Sequence, residues 1–169
     1  IIAEKNKMSS LLDPSFSEGS VLGLSTEAQE SVGELLGDKN LRTIPVNETA
    51  DTNENVVTYS QQVDMIEAYY GSIMILSALS SDDANTASQA LPLANSIISE
   101  LKVTKVPSSL VHFHRLKLMH YGVVQKMLTN IAYNSSPEDI TASGVLFFEI
   151  TNAMEQEKSN LMRESNLDS

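Results

Sequence analysis

The chain is 169 residues long, 41% hydrophobic, and carries 22 acidic against 11 basic residues for a net charge of -11. That length supports one real core and a single folded domain, while the charge argues against nucleic acid or an anionic lipid surface as partner, since either would repel it. With no cysteine there is neither a disulfide framework nor a thiolate metal site, and no run of about 18 apolar residues exists to insert directly into a membrane.

The chain starts at Ile1, so Ile1, Ile2 and Ala3 are read either as the tail of a removed apolar segment or as a chosen chain boundary. Residues 1–52 are rich in Ser, Gly, Asn, Asp, Glu and Thr, punctuated by Pro14 and Pro45, and read as a polar arm or linker. Within it STEAQESVGELL, 25–36, places Ala28, Val32, Leu35 and Leu36 at helical spacing behind a Ser cap, which predicts a short helix. TIPVNETADTNEN, 43–55, reads as extended and solvated.

From 53 to 165 the pattern is that of a helical bundle. A first helix over about 55–79 aligns Val56, Tyr59, Val63, Ile66, Tyr70, Ile73, Met74 and Ser77 on one face. Ser80 to Asp83 supply a turn and an N-cap. A second helix, about 84–102, offers Ala87, Ala90, Leu91, Ala94, Ile97, Ile98 and Leu101, with a kink expected at Pro92. The chain is organised around the third helix, about 107–133, which Pro107 opens in the first turn where the missing N–H costs nothing. Its length is roughly 40 Å at 1.5 Å per residue. Leu110, Phe113, Leu116, Val123, Val124, Met127, Leu128 and Ile131 share its broad apolar arc, with His120 at the centre and Lys117 on the same arc. A last helix, about 137–164, starts on Pro137, Glu138 and Asp139, first-turn residues that suit the helix dipole. Ile140, Leu146, Phe147, Ile150, Ala153, Met154 and Leu161 form its core face, leaving Val145 and Phe148 off that face as a candidate interaction surface. Four amphipathic helices with short polar turns predict an all-α, up-and-down four-helix bundle carrying a mostly irregular N-terminal arm.

His112, His114 and His120 invite a metal reading, but ligands on a helix must lie three or four apart to converge and these do not. The ordinary reading of His120 is a core histidine bonded to a facing polar group, with Glu67 or Glu157 as the expected partner. No nucleophile elbow, P-loop or dinucleotide fingerprint occurs. The residues therefore predict no catalytic group, no metal and no cofactor.

NVVTYSQQ leading into a long helix, KVPSSLVHFHRL opening another, and the SPED turn before the last resemble uncharacterised, envelope-directed helical proteins of candidate-phyla bacteria over about 55–161. The matching positions are Val106, Pro107 and His114. The resemblance implies an extracytoplasmic location behind an N-terminal anchor, implies no activity, and makes His114 a packing or hydrogen-bonding residue.

Two functions follow as expectations. One is a non-enzymatic interaction or structural module of the cell envelope whose partner is another protein; wide apolar arcs around Tyr70 and His120 fit a homo-oligomer as well as burial within one chain. The other is a small-molecule-binding bundle with a cavity near His120, lined by Lys117, Tyr70 and His114.

Overall fold

A computed structural model describes residues 36–81 and 83–167, and the helix expected over 25–36 lies outside them except for its last position. The described residues form a helical bundle. In order come α1 (Asp38–Leu41), β1 (Asn47–Thr49), α2 (Asn53–Tyr69), α3 (Ser72–Ser81), α4 (Ala84–Val103), β2 (Lys105–Pro107), a 3-10 turn (Ser108–Leu110), α5 (Val111–Ala132) and α6 (Pro137–Leu167).

α5 is the central element. It packs most extensively on α4 and α6 and also touches α3 and α1. Its buried side chains include Leu116, Leu118, Tyr121, Val124, Leu128 and Ile131, so the burial wraps more of the helix than the narrow arc of an isolated amphipathic element. α4 fits closely against it because Ala87, Ala90 and Ala94 are fully or nearly fully buried and let the helix axes approach. α4 runs unbroken from Ala84 to Val103 through Pro92. Asp83 caps it, accepting from the Thr86 N–H at 2.7 Å.

The helix expected over 55–79 is two helices. α2 ends at Tyr70, whose N–H reaches the carbonyls of Ile66 and Ala68, and Gly71 takes φ +69 before α3 begins. Only glycine adopts that left-handed geometry without steric cost. The corner resets the helical phase. Tyr59, Val63 and Ile66 are buried on α2 as the periodicity predicts, but α3 buries Ile75, Ala78 and Leu79 and turns Ile73 and Met74 to solvent.

The segment before α2 is extended in part, yet it is fastened to the bundle. β1 pairs in parallel with β2, setting Asn47 opposite Lys105, Glu48 opposite Val106 and Thr49 opposite Pro107. Ser108 Oγ donates to Glu48 Oε1 at 2.8 Å, and Ser109 Oγ to Asp51 Oδ1 at 2.7 Å. Arg115 Nε donates to the Ile44 carbonyl, and Leu41 is fully buried. Pro107 thus closes a strand rather than opening α5, and the α-helix proper begins four residues later. At the far end of α5, Asn134 takes φ 50 and Ser136 caps α6, accepting from the Asp139 N–H.

Candidate functional site

Two helical faces meet along α2 and α5. Tyr59, Val63 and Glu67 are spaced by four on α2, and His114, Lys117 and Tyr121 by three and four on α5, so each set points one way. Lys117 Nζ donates to Glu67 Oε1 at 2.7 Å, and Tyr121 Oη donates to the same oxygen at 2.7 Å. One turn away Tyr59 Oη lies 3.1 Å from His114 Nδ1, and His114 Nε2 lies 3.1 Å from the Leu101 carbonyl. A carbonyl only accepts, so Nε2 carries the proton, Nδ1 is bare, and the tyrosine donates to it. His114 therefore ties α2 and α4 to α5 as a neutral ring. Burial, against the opposing pull of the Leu101 carbonyl and with a smaller push from the Lys117 charge, brings its pKa down to about 4. Burial, then the Glu67 charge, push the hydroxyls of Tyr59 and Tyr121 upward.

His120 departs from expectation. Of its two anticipated partners, Glu67 is committed to Lys117 and Tyr121 and Glu157 does not bond it either, since His120 Nδ1 is buried with no hydrogen-bond partner. The ring packs on Phe147 with centroids 4.9 Å apart and meets Tyr121 edge-on at 5.4 Å. Burial, then the Lys117 charge, hold its pKa down at about 4 despite the counter-effect of Glu67.

Above the Lys117–Glu67 pair opens a groove of about 1090 Å³ between α2, the start of α5 and the C-terminal half of α6. Val63, Leu110, Phe113, Met154 and Leu161 supply its apolar surface. Of the residues expected to surround a cavity, the groove takes Lys117 and leaves out His120, His114 and Tyr70. Lys117 is nonetheless largely covered, with its Nζ 5.8 Å from the centre of the Phe113 ring. Tyr70 stands at the α2–α3 corner with its ring edge-on to Tyr69. Val145 is buried in the core and offers no surface, because Ser143, Val145 and Ile150 rather than Ile140 and Leu146 are the residues α6 buries. Phe148 is exposed as anticipated.

Among the described residues no group of three or more His, Cys, Asp or Glu could hold a metal ion, and no helix is long and apolar enough to cross a membrane. No family model matches the chain, and neither a curated protein nor a solved structure is found to resemble it. The groove residues Tyr59, Phe113, Met154 and Leu161 read in the sequence as ordinary core positions. The signal that sets them apart is Lys117 on the apolar arc of α5, matched by Glu67 on α2, both of which line the groove.

Proposed function

We propose that this chain is a non-enzymatic interaction module whose partner lays a basic amphipathic helix into the groove between α2 and α6. The observation that carries this reading is the open seam itself. Apolar side chains from three helices line it, in the manner of sites that receive an apolar helix face. Lys117 and Glu67 neutralise each other at its floor, which leaves Asp51, Asp64 and Glu155 facing Lys158 alone. A cationic helix complements that excess, and the acidic chain as a whole steers it in. Met154 and Met162 add flexible, polarizable surface suited to receiving a foreign side chain. The same proposal places the module in the bacterial cell envelope, on the resemblance of 55–161 to envelope-directed proteins.

The test is fluorescence anisotropy of a labelled synthetic helix of leucine and lysine, with the same helix carrying glutamate for lysine as control. The lysine helix binds the full chain and the glutamate helix does not. Leu161→Glu then weakens binding by about tenfold or more, equivalent to about 1.4 kcal/mol, although it adds a negative charge that general attraction would reward. Unchanged or stronger binding by Leu161→Glu overturns the groove reading.

A further inference from the structure

We infer that the corner between α2 and α3 is the interface through which two copies of this chain associate. Met65 and Tyr69 on the last turns of α2, and Ile73, Met74 and Leu76 on α3, are 66%, 82%, 81%, 64% and 48% exposed. Met65 and Tyr69 lie one helical turn apart on α2, Ile73 and Leu76 one turn apart on α3, and Met74 stands beside Ile73. At roughly 200 Å² for a large side chain, the five expose about 700 Å² in sum, which approaches the ~800 Å² per partner of a standard interface.

Charge selects the occupant. Copies of a molecule with a net charge of -11 repel one another over most of their surface. α3, SIMILSALSS, contains no charged residue at all, so two α3 helices related by a two-fold axis meet without opposing like charges. An isologous contact also asks a surface to complement itself, which an uncharged strip of Ile, Met, Leu and Ser does. At the bend the Tyr70 N–H is used within α2 and the Gly71 carbonyl accepts from Met74 and Ile75, so neither of these groups asks for a partner. Gly71 and Ser77 keep the centre low enough for close approach.

This interface is separate from the groove between α2 and α6, and the two stand or fall apart. Sedimentation velocity on the full chain, from nanomolar to high-micromolar concentration, tests it. A dimer is expected in the micromolar range. Tyr69→Glu combined with Ile73→Glu raises the dissociation constant by more than about a hundredfold, because it sets like charges against each other in the contact, and the circular dichroism of the helices stays unchanged. Phe148→Glu, an exposed apolar position elsewhere, leaves the dimer intact. A chain that stays monomeric at the highest concentration overturns the inference, including one that floats with phosphatidylcholine vesicles instead. So does a dimer that the double substitution leaves undisturbed.

Discussion

His120→Leu separates two effects of one buried ring. At neutral pH the ring is uncharged, since burial holds its pKa near 4 against an ordinary 6.5, and its Nδ1 is an orphan. An unsatisfied buried polar atom costs about 1–3 kcal/mol, so leucine, which fills similar volume against Phe147, leaves stability at pH 7 equal or higher. The acid limb is the sharper test. A histidine whose folded pKa lies below its unfolded value binds its proton in the unfolded chain first, so stability is full above pH 6.5 and falls as pH drops from there toward 4. Between pH 7 and pH 5 a shift of this size removes about 2 kcal/mol. His114, with its pKa also near 4, removes a similar amount, giving about 4 kcal/mol for the pair if they act independently. Urea unfolding at both pH values, on the parent and on His120→Leu, measures the difference. The variant is expected to lose only about half as much. Equal losses in the two proteins, or a variant weakened at pH 7 by more than about 2 kcal/mol, would refute the reasoning, the second because it would show that the imidazole has a partner.

Tyr59→Phe leaves His114 Nδ1 without its donor and costs about 1–3 kcal/mol at pH 7 in the same assay; a change under about 0.3 kcal/mol would mean the bond contributes nothing. Glu67→Gln removes the charge that both Lys117 and Tyr121 contact. Because Glu67 is partly open to solvent, the expected loss is about 2 kcal/mol rather than the 3–5 of a sealed pair, and it should shrink in high salt. Gly71→Ala meets only ordinary contact with the Met74 side chain but must hold φ +69, so thermal melting should show a loss of about 1–2 kcal/mol.

The extents of α4 and α6 were legible because Asp83 before α4 and Pro137, Glu138 and Asp139 at the start of α6 agree with the apolar spacing, whereas Pro107, read as opening α5, closes β2. The break at Gly71 was not legible, since glycine interrupts an apolar run without a proline and only the sign of its φ tells a corner from a tolerated helical residue. That single angle decides whether Ile73 and Met74 are core or surface. The strand pair was equally hidden. Three residues on each side are too few to show a period of two, and their pairing is set by neighbours about sixty residues away. Lys117 and His120 lie on one arc of α5, as the spacing places them. Which of the two finds Glu67 depends on how α2 is rotated, and no periodicity within α5 contains that. Val145 fell on the wrong side of the count because α6 faces α5 with Ser143, which accepts from Asn130, and with Val145 and Ile150 beside it, an orientation set by the neighbouring helix.

The β1–β2 pair also ties the start of α2 to the end of α4. Contacts between α4 and α5, or α5 and α6, close short loops, whereas the strands close one of about sixty residues at a somewhat larger cost in chain entropy. Hydrogen exchange of the ladder amides therefore reports that long closure, while protection along α5 reports the docking of its helical neighbours.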